Sequence, residues 1–305
     1  MADKIHIRMG GYGPATTGFS RALRRIGDRI EAQFGDRVAI SYVFNIMDQG
    51  HKAEDILTLV ESGAVTVGYQ SSSYLTQRVP ELSFVDLPFL FSNNTQARAA
   101  MDGALGDFLA QKIEAQCGYR ILGWFENGFR HISNRLRPVH APADMKDMNI
   151  RVLPSEVQRR TFDLIGANAI IMDLTEAIAR IKGGTLDAQE NPLANTVTYG
   201  VHKFHRFHTL TRHFYISRPI FFHRAAFDAW PADLQAAMRD AVTEAVAFQR
   251  ELAIEEDRQA RATIEAEGGE IVTADREAFV ASVQPLLKEA RAAYGEAMFR
   301  LLPAA

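Results

Sequence analysis

Arg151 stands inside an apolar run, Ile150-Arg151-Val152-Leu153, and a second such run ends directly in Gln189-Glu190-Asn191-Pro192. A guanidinium on a strand presents a planar fork of donors that matches a carboxylate with two parallel, charge-assisted hydrogen bonds. Burying that fork without an anion is costly, so the chemistry to which this placement points is capture of a carboxylate. The ordinary alternative is a structural ion pair with a carboxylate of the chain itself. Arg130, in Gly128-Phe129-Arg130, offers the same choice, whereas Arg137 beside Pro138 reads as a solvent or interdomain contact.

Catalytic chemistry finds fewer parts. Cys117 is the sole cysteine, so no intramolecular disulfide can form, and its place before Gly118 reads as a small buried or half-buried residue at a helix end. An enzyme would need it as nucleophile with His51 or His131 as base, yet nothing in the spacing pairs them. His202, His205, His208 and His213 fall among basic residues without the i, i+4 pair and glutamate of a helical zinc site, which predicts an exposed, basic helix or loop. The loop Gly10-Gly11-Tyr12-Gly13 lacks the third glycine of a dinucleotide motif and has no Gly-Lys-Ser/Thr, so hydrogen-bond donors around a small ligand are its remaining use. No metal and no cofactor is expected.

The elements that must hold these groups alternate. Lys4 to Met9 has strand periodicity, and Phe19, Leu23, Ile26 and Ile30 recur at helical spacing after the glycine loop. Val38 to Phe44 and Val65 to Tyr69 read as strands around a short helix at Ala53 to Glu61. Strand and helix alternating at this pace predict an α/β fold with a largely parallel sheet. Ser71-Ser72-Ser73 then lies at a strand's carboxyl end, where open α/β sheets bind ligands, or caps a helix. Pro80 and Pro88 keep the apolar stretch between them out of a central strand, so it reads as a buried, irregular crossover. Trp230-Pro231-Ala232-Asp233 opens a long helix, or two with a bend, that reaches Glu267; Glu270 to Val272 reads as an edge strand and Arg276 to Leu302 as helix.

At 305 residues and 47% hydrophobic content the chain can bury two cores, and a net charge of -3 with no basic run excludes a general nucleic-acid surface. No apolar run reaches the roughly 18 to 20 residues that span a bilayer. The start, Met1-Ala-Asp-Lys4, shows no targeting segment, which fits either a cytosolic chain or an exported one whose leader has been removed.

Several motifs in order carry a resemblance. Pro80-Glu-Leu-Ser83 with Asp86-Leu-Pro-Phe-Leu-Phe91, Gly128-Phe-Arg130, Asn134-Arg-Leu-Arg137-Pro138, Pro142-Ala-Asp144-Met-Lys146, Ile150-Arg151-Val152 and Asp187-Ala-Gln-Glu-Asn-Pro192 resemble the solute-binding proteins of tripartite ATP-independent periplasmic (TRAP) transporters, of the DctP type. The resemblance implies a two-lobed periplasmic-binding-protein-like fold, each lobe a mixed sheet flanked by helices, with a long C-terminal helix spanning the lobes. Lobe I would take 1–126 and 214–253, lobe II 127–213 and 254–305, with the cleft between. It further implies a periplasmic monomer, its signal peptide removed, that closes on a small organic acid and delivers it to the small and large membrane subunits without catalysis.

By the same resemblance Arg151 makes the bidentate carboxylate contact, Arg130 adds a second, and Asn191 touches the carboxylate or closes the pocket behind it. Tyr12, Gln70 and Ser71 form the opposite jaw, and Leu174 and Tyr215 border the ligand. Leu174 stands where acidic-sugar binders often carry an aromatic residue, and Gln70-Ser71-Ser72 where an acid is frequent. These departures predict a small, mostly apolar acid rather than a polyhydroxylated one: a mono- or dicarboxylate, with aromatic or short-branched 2-oxo and 2-hydroxy acids included. The rival readings are a cytosolic α/β enzyme acting on a carboxylated substrate and a ligand-sensing module for a membrane receptor.

Overall fold

Two sheets carry the fold in the computed structural model, which describes residues 4–303. The strands are β1 (Ile5–Gly10), β2 (Val38–Val43), β3 (Val67–Tyr69), β4 (Tyr119–Phe129), β5 (His131–Asn134), β6 (Asn149–Val152), β7 (Asn168–Ile171), β8 (Ala188–Asn191), β9 (Phe207–Thr209), β10 (Tyr215–His223) and β11 (Glu270–Val272). The first sheet has the order β2-β1-β3-β10-β4 and the second β11-β9-β5-β8-β6-β7. In the first, β1 is parallel to β2 and β3 while β10 runs antiparallel to β3 and β4. In the second, β6 is parallel to β7 and β8, and β5 is antiparallel to β8 and β9. Each lobe therefore has a mixed sheet with helices on it.

Local sequence explains the elements. Phe19, Leu23, Ile26 and Ile30 put one buried stripe on the helix Gly18–Phe34. Thr17 caps its start by accepting from Ser20 N, and Gly35, with φ of 51°, ends it in a conformation that few side chains tolerate. Residues Pro80–Phe84 form only a short 3-10 turn, as the prolines require. The apolar side chains of β1, β3, β4 and β10 enter one core with Leu23 and Ile26, whereas Ile132, Ile150, Val152, Phe162 and Ala188 enter the core of the second lobe.

The chain crosses between sheets where β4 hands over to β5, with Arg130 alone between them, and returns through residues 210–214. These two crossings lie side by side, since Arg130 N donates to Phe214 O at 2.9 Å and Tyr215 pairs with Phe129. A third link is the single helix Ala232–Ala266. Its side chains meet the first helix through Glu244 with Arg25 and Arg29, and further along Ala260 and Ile264 pack with Leu193 of the second lobe. Residues 284–303, expected with lobe II, touch both lobes: Glu289 pairs with Arg160 of the second and Leu287 packs against both cores, while Tyr294 and Phe299 meet Phe84 of the first edge-on.

Candidate ligand-binding site

Side chains alternate along β6, and Ile150 and Val152 point into the second core, so Arg151 must face the other way, toward the first lobe. It is 1% exposed. Its Nε donates to Met172 O at 3.0 Å and its Nη2 to the Tyr74 hydroxyl at 3.0 Å. Among the described residues no carboxylate pairs with it and its Nη1 donates to no protein group. Tyr74, from the 3-10 turn Ser72–Leu75 of the first lobe, in turn accepts from Leu174 N at 3.2 Å and lies 3.3 Å from Asp173 Oδ2. Burial pushes the Tyr74 hydroxyl well above its ordinary pKa, so it remains a neutral donor and acceptor.

Arg130 is also 1% exposed, but its fork is engaged. Nε and Nη2 hold the Glu190 carboxylate, Nη2 at 2.7 Å from Oε1, and Nη2 also meets Glu190 O at 2.7 Å. His213 Nε2 lies 3.6 Å from the same carboxylate. Burial works against the charge on Glu190, yet Arg130 and His213 outweigh it and hold the carboxyl below its usual range. Arg130 thus commits Nε and Nη2 to the glutamate of Glu190-Asn191-Pro192, while Nη1 has no partner among the described residues and the side chain lines the cavity.

Arg151, Arg130, Asn191, Tyr12, Ser71, Gln70 and Leu174 line one narrow cavity between the lobes. Tyr74, Asn127, Leu153, Asn195, Tyr199 and Arg218 complete it. Only the two leucines are wholly apolar. Gln70 is closed on its own surroundings, Nε2 donating to Ala53 O at 2.8 Å and Oε1 accepting from Ser71 N at 2.8 Å. Ser71 precedes the 3-10 turn, but its side chain makes no capping bond. The Tyr12 hydroxyl is buried with no hydrogen-bond partner among the described residues. Beside the cavity the lobes bond directly: Thr175 Oγ1 accepts from Ala53 N at 3.0 Å, and Thr76 Oγ1 donates to Pro154 O at 3.0 Å.

Residues 14–293 match the family described as bacterial extracellular solute-binding protein, family 7, the DctP family. A solute-binding protein of Verminephrobacter eiseniae is 30% identical over 277 residues, covering 90% of this chain and 82% of the relative. The chain belongs to this family. The 2,3-diketo-L-gulonate-binding periplasmic protein of Escherichia coli is 30% identical over 74% of this chain and 69% of that relative. A TRAP periplasmic solute binding protein from Polaromonas sp. JS666, solved bound to D-erythronate, superposes with a TM-score of 0.93 at 24% identity over 99% of this chain and 100% of that one. The two-lobed fold and the long helix are thus those of TRAP solute-binding proteins.

Within this solute-binding protein three expectations need correction. Tyr215 does not line the cavity: its hydroxyl bonds Glu126 Oε2 at 2.8 Å and its ring packs edge-on against Phe91 and Phe129, behind the crossing strands. The histidine stretch is not an exposed surface, because His205, His208 and His213 are fully buried around β9 and bond Ser133 Oγ, His205 O and Thr211 Oγ1. The cavity is polar where a mostly apolar acid had been expected, since Leu174 contributes one wall and amides, hydroxyls and guanidinium groups the others. Sequence reasoning also passed over Arg218, Asn127 and Asn195. Arg218 carried the same signal as Arg151, an arginine inside a strand of apolar residues, Tyr215-Ile-Ser-Arg-Pro-Ile-Phe-Phe222.

Proposed function

We propose that this TRAP solute-binding protein works in the periplasm, captures a small hydroxylated organic acid with the carboxylate on Arg151, and presents it in closed form to the membrane subunits. The observation that carries this reading is a buried guanidinium that no carboxylate pairs with among the described residues. A cation in that position is stabilised by an anion that arrives from outside. The lining of the cavity is polar on almost every side. Its many donors suit hydroxyl and keto oxygens, and the two relatives named bind 2,3-diketo-L-gulonate and D-erythronate, both hydroxylated acids.

Closure follows from the placement of the groups. Arg151 and Asn191 belong to the second sheet, Tyr12 and Ser71 to the first lobe, so a ligand that touches both sets binds the closed arrangement better than the open one. Membership of a solute-binding family supports action by binding rather than catalysis. Burial raises the pKa of the Cys117 thiol, the reverse of an activated nucleophile, and that side chain lies at the end of the helix Ala104–Gln116. Titration calorimetry with D-erythronate and with 2,3-diketo-L-gulonate tests the reading. Arg151→Ala is expected to weaken whichever acid binds by at least 100-fold, in line with the ~3 to 5 kcal/mol lost when a buried pair loses one partner. An Arg151→Ala affinity within about threefold of wild type removes Arg151 from the role.

A further inference from the structure

Arg218 enters the cavity from β10 of the first sheet, across from the strand that carries Arg151. It is 3% exposed and has no salt-bridge partner among the described residues. Its Nη2 donates to Asn127 Oδ1 at 2.8 Å, while its Nε is buried with no hydrogen-bond partner among the described residues. The guanidinium lies 4.0 Å from the Phe19 ring centroid and 5.1 Å from that of Tyr12, and those ring faces offset part of its charge.

Arg218 also sets the polarity of its neighbours. A guanidinium only donates, so the Asn127 atom that faces it must be the oxygen. Asn195 meets that same oxygen at 2.9 Å and must donate there through Nδ2; the same Nδ2 then reaches Asn191 Oδ1 at 3.1 Å. Asn127 is thereby turned with Nδ2 outward, and that nitrogen is buried with no partner. Arg218 Nε, Asn127 Nδ2 and the Tyr12 hydroxyl thus form a cluster of unpartnered donors on the walls of the cavity. A charge inventory points the same way. Of the arginines lining the cavity, Arg130 is neutralised by Glu190, which leaves Arg151 and Arg218, on the two opposite sheets, as cations with no carboxylate paired to either among the described residues.

We infer that Arg218, with Asn127 and Tyr12, is a second anion-binding subsite that selects an acid with a carboxylate at each end. The inference rests on Arg151 holding the first carboxylate. Bridging the two arginines would tie β6 to β10 and so couple recognition of the second carboxylate to closure of the lobes.

Matched acids that differ only by a terminal CH2OH or carboxylate test this: D-glycerate and tartronate, D-erythronate and meso-tartrate, D-xylonate and xylarate. Calorimetry at pH 7.5 on the intact protein is expected to show the dianion bound at least about tenfold more tightly in the pair that fits best, with no pair preferring the monoanion. Arg218→Gln should weaken the dianion by about 100-fold but its monoanionic partner by less than about fivefold, reversing the preference. Arg218→Lys, which keeps the charge without the fork, should retain a reduced preference for the dianion, and both variants should melt cooperatively without ligand. Wild-type preference for any monoanion, binding of no member of any pair, or equal loss of both acids in Arg218→Gln overturns the inference. Arg151→Ala, run beside them, separates the two claims: if it binds both acids as wild type does, the Arg151 reading fails, whatever Arg218 does.

Discussion

Arg130, at the crossing between β4 and β5, and Arg151, on β6, are equally buried and line the same cavity, yet their surroundings differ in kind. Arg130 sits in a nest that the chain completes for itself, with Glu190 against its fork and His213 behind. Arg151 meets only neutral oxygens, a backbone carbonyl and the Tyr74 hydroxyl. Burial of an arginine therefore does not identify a ligand contact; the charge left over after the chain's own acids are counted does. The nest should carry stability and the uncompensated face should carry binding, and perturbations can be sorted by which of the two they strike.

Acid should strike the nest and its lobe hardest. Burial lowers the pKa of His131 and His205 to about 3 and that of His208 to about 4, and all three lie in or beside the second sheet. An unfolded histidine takes up its proton near pH 6.5, whereas these refuse it until pH 4 or 3. Their contribution is whole above pH 6.5 and is lost as the pH falls through the window from 6.5 to about 3, because the unfolded chain then binds more protons. Asp86 works in the opposite sense. Burial raises its pKa to about 6 and lifts those of Glu256 and Asp257 as well, so their contribution grows as the pH falls, but His131 and His205 refuse their protons down to about 3, a wider window, and His213 is lowered with them. The urea midpoint of ligand-free protein should therefore drop steadily between pH 6.5 and 4, and a midpoint at pH 5 equal to that at pH 7.5 would refute the assignment.

Next in size is removal of the nest's acid. Glu190→Ala leaves Arg130 buried and uncompensated and is expected to cost about 3 to 5 kcal/mol of unfolding free energy. The double substitution Arg130→Met with Glu190→Leu should recover most of it, since an apolar pair of similar volume replaces the ion pair without a desolvation cost. Arg151→Ala should leave the urea midpoint of ligand-free protein unchanged or raise it. If Glu190→Ala proved as stable as wild type, the distinction between the two arginines would collapse.

The difference between them was only partly legible in the sequence. Strand placement was, because Ile150-Arg151-Val152 and the alternation of Lys4 to Met9 are local signals, and so were the irregular run between Pro80 and Pro88 and the edge strand at Glu270–Val272. The pairing of Arg130 with Glu190 was not, since the two are 60 residues apart and meet only because β5 and β8 are neighbours in the sheet. The histidines misled for the same reason: a polar stretch looks exposed until β9 is seen to run between β5 and β11. Polarity of the cavity depends on which asparagine oxygen faces which donor, and no residue spacing encodes that.

The smallest effect sharpens the comparison at its boundary, where Tyr74 meets Arg151. Tyr74→Phe keeps the ring and removes a hydroxyl that accepts from Arg151 Nη2 and Leu174 N, both in the second lobe. Each such bond is worth about 0.5 to 1.5 kcal/mol net, and the open form satisfies these donors with water, so the loss falls on closure. Affinity is expected to drop by about five- to tenfold, roughly 1 to 1.4 kcal/mol, and by the same factor for every acid, because the lost bonds join lobe to lobe rather than lobe to ligand. A factor that differed between acids would mean that the Tyr74 hydroxyl contacts the ligand itself, and the boundary between closure and recognition would have to be moved to include it.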